Sequence, residues 1–266
     1  MTVRVRYGDR KAAELDARVR EIAGTAIESY TALFGRVPDD ARGEPLHELA
    51  LTIAHGPGRG GESDPGLVSV TIGERPVFGF YGWELTLLHE LFHLWSAGTF
   101  RHETCAEPWF DEGVAELYTL RTAVEIGFLS PEEVVSATST LLGFYLSATD
   151  IGKLSLREAG STPEEKRAHC FLVHDGGLAA LFLMRWLAEH FDRGGRLYDM
   201  DDLINGLRET TGVDVRAFFT RYVDGLEPVP VGQYLDLGRL SFDLAAAGAE
   251  RSPDPYLSAA LGIDAR

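Results

Sequence analysis

His89 and His93 enclose a glutamate in the run His89-Glu90-Leu91-Phe92-His93, and eighteen residues separate His93 from Glu112. On a helix, positions four apart share one face, so the two imidazoles can aim at one point with Glu90 beside it. Two neutral imidazoles and one carboxylate are the protein half of a catalytic zinc site whose fourth position is open to water. Zinc would lower the pKa of that water, and Glu90 would take its proton. This is the pattern of a metal-dependent hydrolase. The flanking Leu87, Leu88, Leu94 and Trp95 are apolar, which predicts a buried helix. A charged glutamate on such a helix is costly unless it is paired or metal-linked. The plainer alternative is a pair of packed core histidines beside an incidental acid.

The order His89-Glu90-x-x-His93, eighteen residues, then Glu112 resembles the gluzincin aminopeptidases. Glu112-Gly113-x-Ala115, preceded by Trp109, is similar to their third-ligand motif. Trp95 and the late stretch Phe218-Phe219-x-Arg221-Tyr222-Val223-Asp224-Gly225-x-Glu227-Pro228-x-Pro230 resemble the glycyl aminopeptidase family in particular. The likeness runs from about Arg4 to about Leu240 and covers that family's catalytic domain. It implies His89, His93 and Glu112 as zinc ligands and Glu90 as general base. It also implies that Glu116, one turn after Glu112, holds a ligand histidine by its free N–H; a solvated helix face is the other reading of Glu116.

Two stretches depart from the family pattern. Where the family carries an oxyanion-binding tyrosine, this chain reads His174-Asp175-Gly176-Gly177. His174 is then an oxyanion donor, a fourth metal ligand that binds through nitrogen, or a packing residue, with Tyr145 and Tyr118 as the substitute donors. The counterpart of the family's Gly-Gly-x-Glu-His segment is Gly60-Gly61-Glu62-Ser63-Asp64, which lacks the final histidine. Glu62 and Asp64 are the candidates for binding a substrate α-ammonium. They equally suit a polar turn.

These residues need a scaffold. Val3, Val5 and Tyr7 alternate as in a strand, and apolar residues from Leu15 to Leu33 step by three and four as in an amphipathic helix over 10–34. Leu49, Leu51 and Ile53 predict a second strand, and Val68, Val70 and Ile72 a third. His55-Gly56-Pro57-Gly58-Arg59-Gly60-Gly61 reads as irregular. The metal helix is expected over 83–97 and the Glu112 helix over 109–126. Ser130-Pro131-Glu132-Glu133 and Thr162-Pro163-Glu164-Glu165 are helix starts. The second should run to about His190, with Gly176 and Gly177 inside it allowing close backbone approach. Shorter helices are expected near 199–210 and 213–224, and a last strand over 256–263. The fold class is therefore α+β: a small N-terminal sheet, then a mainly helical zincin-like domain. In chain order this gives a sheet-containing lobe over 1–80, a helical lobe over 81–240 and an extension over 241–266.

With 266 residues, 45% of them hydrophobic, the chain can bury a substantial core. A formal net charge of −16 argues against nucleic acid and anionic membranes as partners. The N-terminus lacks an apolar signal-like segment, no apolar run is long enough to span a bilayer, and two distant cysteines predict no disulfide framework. A cytoplasmic protein acting on a peptide or small amine-bearing substrate is expected, with zinc as cofactor. Nothing in the sequence sets the oligomeric state. Two other functions compete with the aminopeptidase: a metal-dependent tailoring enzyme on the same scaffold, and a non-catalytic zinc-binding module.

Overall fold

The computed structural model describes residues 1–58, 60–73, 82–99, 101–102, 107–183, 197–198, 201, 204–205 and 216–230. The expected strand over 256–263 and the extension over 241–266 lie outside these residues, as does most of the helix expected near 199–210. The architecture is mixed α and β, with a four-stranded sheet. Contacts divide the chain into two compact units, residues 1–99 with 118–130, and residues 100–117 with 131–266.

The first unit is built on the sheet. Strands β1 (Thr2–Tyr7), β2 (Glu48–Gly56), β3 (Gly60–Asp64) and β4 (Leu67–Gly73) lie in the order β1-β2-β4-β3. The β1–β2 and β2–β4 pairs are parallel, and β3 is an antiparallel edge strand on β4. Alternation gives the sheet one buried face. Leu49, Leu51, Ile53 and Val68 on it are fully covered, and Val5↔Leu51↔Val68 form one row across three strands. The glycine-rich segment expected to be irregular is therefore partly strand, since β2 runs through Gly56 and β3 opens at Gly60. The expected helix over 10–34 is two pieces, α1 (Arg10–Ala13) and α2 (Asp16–Phe34), with Asp9 capping the first through Ala12 N–H at 2.9 Å.

Helix α3 (Trp83–Thr99) packs on α2, β3 and β4. Its rotation is pinned by aromatic and polar contacts. Tyr30 of α2 donates to the Leu88 carbonyl at 3.1 Å, and its ring meets Phe92 and Trp95 edge-on. The Trp95 indole N–H donates to the Arg36 carbonyl at 2.8 Å. Phe92 also stacks on Tyr118 with ring centroids 5.0 Å apart. Tyr118 belongs to helix α4 (Pro108–Glu125), whose second half is part of this unit.

The second unit holds the first half of α4, helices α5 (Pro131–Ser147), α6 (Leu156–Ala159), α7 (Pro163–Ala168) and α8 (Gly176–Leu183), and a short parallel pair of Arg101–His102 with Leu197–Tyr198. The single helix expected from Thr162 to His190 is broken. It stops at Ala168 and resumes as a π-helical turn, Phe171–Asp175, that leads into α8. Where α8 crosses α4, Gly113 and Gly177 bring the two backbones together. A Cβ on Gly113 would lie 2.5 Å from the Gly177 carbonyl carbon, and one on Gly177 would run into the Trp109 carbonyl. The expected close approach is present, at Gly177.

The late segment wraps the start of α4. Phe219 lies edge-on to the buried Trp109, whose indole N–H donates to Glu107 at 2.5 Å. Arg157 bridges Glu107 at 2.8 Å and Asp224 at 2.7 Å. The Val229 N–H donates to the Tyr145 hydroxyl at 2.7 Å. These contacts fix the end of α4 from which Glu112 projects.

Candidate metal centre

In the first unit, the four-residue spacing on α3 puts His89 and His93 on one face of the helix. His89 Nε2 and His93 Nε2 are 3.0 Å apart, with the rings inclined at 75°. Two nitrogens on one tetrahedral zinc, each at about 2.05 Å, would be about 3.3 Å apart, so the pair has nearly the separation of two ligands of one ion. Ser96 Oγ lies 3.4 Å from His93 Nδ1. His89 is only 4% exposed and Glu90 only 8%, so these polar groups are set in an apolar helix.

Glu90 lies against the edge strand. A Cβ on Gly61 would come within 2.6 Å of Glu90 Oε1, so only glycine fits there without moving the carboxylate. Residues alternate across a strand. Gly61, paired with the buried Val70, therefore faces α3, whereas Glu62 and Asp64 point to the opposite face and are exposed. The structure does not bring Glu62 or Asp64 to Glu90. The part of the Gly-Gly segment that reaches this helix is the glycine backbone.

In the second unit, Glu112 and Glu116 lie one turn apart on α4, 5% and 2% exposed. Glu112 is flanked by two basic groups. Lys166 of α7 makes an ion pair with Oε1, and His174 Nδ1 lies 3.3 Å from Oε2. His174 Nδ1 is also 3.9 Å from Glu116 Oε1. His174 thus faces the two acids of α4, and it is the π-helical turn that carries it. A π turn adds a residue and rotates the helix beyond it by roughly 100°. The two substitute tyrosines are engaged as follows. Tyr145 is buried beneath Gly176, its hydroxyl accepts from Val229, and burial pushes its pKa up. The Tyr118 ring is sandwiched between Phe92 and the Arg121 guanidinium.

Among the described residues, the candidate metal ligands are His89, His93, Glu112, Glu116 and His174. Neutral imidazoles and carboxylates are a donor set that suits zinc. Lys166 was not legible from spacing, because it lies 54 positions from its partner on a different helix. The only signal was compositional: it is one of three lysines in the chain.

No family model matches the sequence, and no curated protein sequence matches it. Among solved structures, the fold is similar to that of an aminopeptidase N family protein from Idiomarina loihiensis, with a TM-score of 0.68 at 15% identity. The match covers 89% of this chain and 47% of that one, so this chain spans about half the length of the protein it matches. At that identity the likeness is one of fold.

Proposed function

We propose that this chain is a zinc-dependent metallopeptidase of the aminopeptidase type, with His89, His93 and Glu112 as metal ligands and Glu90 as general base. The observation that carries the reading is the convergence of the His89 and His93 Nε2 atoms to 3.0 Å on a buried helix that also bears Glu90. A structural site needs no general base, so a carboxylate accommodated by Gly61 argues against the non-catalytic module. The fold likeness to an aminopeptidase N family protein supports the same class.

When bound, zinc would polarise the scissile carbonyl and acidify water. Glu90 takes the proton of the attacking water and passes it to the leaving amine. Glu116 accepts the free N–H of a ligand imidazole and so fixes its tautomer. The substrate is a peptide or a small amine-bearing amide.

The experiment is hydrolysis of a panel of aminoacyl fluorophores and short peptides by the zinc-loaded protein. Activity should be present and should fall by about a hundredfold or more in Glu90→Gln with zinc retained. A second reading, a metal-dependent tailoring enzyme, is favoured by one feature: His174 lies 3.3 Å from Glu112, where it could add a third nitrogen to the metal. Silence across the panel with one equivalent of metal bound would favour that reading.

A further inference from the structure

The tetrahedral intermediate of amide hydrolysis needs a donor for its oxyanion. Tyr145 is buried with its hydroxyl accepting from Val229, and Tyr118 is stacked on Phe92. His174 turns its Nδ1 to Glu112 and Glu116. One basic side chain beside Glu112 has no role so far.

That side chain is Lys166. Helix α7 presents it on a well-anchored turn. Thr162 caps the start by accepting from Glu165 N–H at 3.1 Å, and Pro163 occupies the first turn. His169 holds the other end through Asp150 at 2.9 Å and Glu165 at 3.0 Å. Lys166 reaches from this helix to Glu112 and pairs with its Oε1. The carboxylate is 6% exposed and the lysine 36%, so the ammonium lies on the open side of a buried acid. An ammonium has three donors, and one N–H serves Glu112. Were Glu112 to hold a metal, a second oxygen bound there would be a near neighbour of that ammonium.

We infer that Lys166 is a catalytic residue of this site: its ammonium, seated on Glu112, donates a hydrogen bond to the oxyanion formed from the scissile carbonyl. The inference rests on the metallopeptidase reading above. The water oxygen bonds to the carbonyl carbon, Glu90 takes the water proton, and the π pair moves onto the carbonyl oxygen. Lys166 stabilises that charge and gives up no proton. The pair returns as the C–N bond breaks, and the proton on Glu90 goes to the leaving nitrogen.

The test is calorimetric binding to zinc-loaded protein carrying Lys166→Met or Lys166→Arg. One probe is a phosphinic pseudodipeptide, a tetrahedral anion. The other is the matching dipeptide, bound in a Glu90→Gln background where it is not cleaved. Lys166→Met should raise the phosphinate Kd by roughly tenfold or more, with little change for the dipeptide, and Lys166→Arg should recover part of the loss. Zinc stoichiometry should stay at one throughout. An unchanged phosphinate Kd with zinc retained would overturn the inference alone, as would equal weakening of both probes. Failure of the wild type to take up zinc would overturn the metallopeptidase reading and this inference with it. Should Lys166→Met not melt cooperatively, Lys166→Gln replaces it in the same comparison.

Discussion

Gly61 matters at the residue scale because of the space it leaves. The Glu90 side chain fills the place a Cβ would take, so Gly61→Ala must displace either the strand or the Glu90 carboxylate. Overpacking of this kind costs about 1–3 kcal/mol, and here much of it falls on the carboxylate. The expected result is a fall in kcat/KM of about tenfold or more with one zinc still bound, read by peptide hydrolysis and metal analysis. Unchanged kcat/KM would mean that Glu90 does not act from this position. Asp9 gives a second expectation. It accepts from the N–H groups of His55 and Ala12, which hold its pKa down at about 2 against an ordinary 3.8. Because the folded value is depressed, the stabilisation is fully present above the ordinary value and is lost as pH falls through about 2. Thermal midpoints measured from pH 5 downward should therefore fall more steeply in the wild type than in Asp9→Asn, whose amide can still cap α1. Parallel curves would contradict the assignment.

At the scale of elements, the helices that bear the motif were legible because their signals are local. His89 and His93 need one face of one helix, and Ser130-Pro131 marks the start of α5. Two features were not legible. Apolar periodicity from Thr162 onward cannot register the extra residue of a π turn, so α7, the turn over 171–175 and α8 read as one helix. The glycines of β3 carry weak strand propensity and read as loop. Their pairing with β4 follows from sheet register and from the space Glu90 requires, both of which are tertiary. The same limit applies to site residues. The three proposed ligands and Glu90 stand out by spacing, whereas Lys166 comes to Glu112 through packing alone. The α4–α8 crossing allows a direct check. A Cβ at Gly177 meets backbone, which cannot swing aside as a side chain can. Gly177→Ala should destabilise by about 3 kcal/mol or more, a drop of roughly 6–12 °C in melting temperature. Tyr30→Phe, which removes the bond to the Leu88 carbonyl, should cost only about 1 kcal/mol. A Gly177→Ala protein as stable as Tyr30→Phe would show that the two helices do not cross there as described.

At the scale of the whole molecule, the chain carries its proposed ligands in two compact units, the histidines in one and Glu112 in the other. Helix α4 runs through both. No helix of the described residues is long and apolar enough to cross a membrane. An ion that binds only the folded chain stabilises it by mass action. Zinc at a hundred times its Kd should add about 2.7 kcal/mol, and a chelator should remove it. That shift in melting temperature should vanish in His93→Ala and in Glu112→Ala; its survival in either would exclude that residue as a ligand. The most direct measurement of the central claim is an anomalous difference map at the zinc absorption edge from zinc-loaded crystals. One peak per chain is expected, about 2.0–2.2 Å from His89 Nε2, His93 Nε2 and a Glu112 oxygen. No peak at saturating zinc, or a peak held without His89 and His93, would contradict the proposal that this chain is a zinc peptidase.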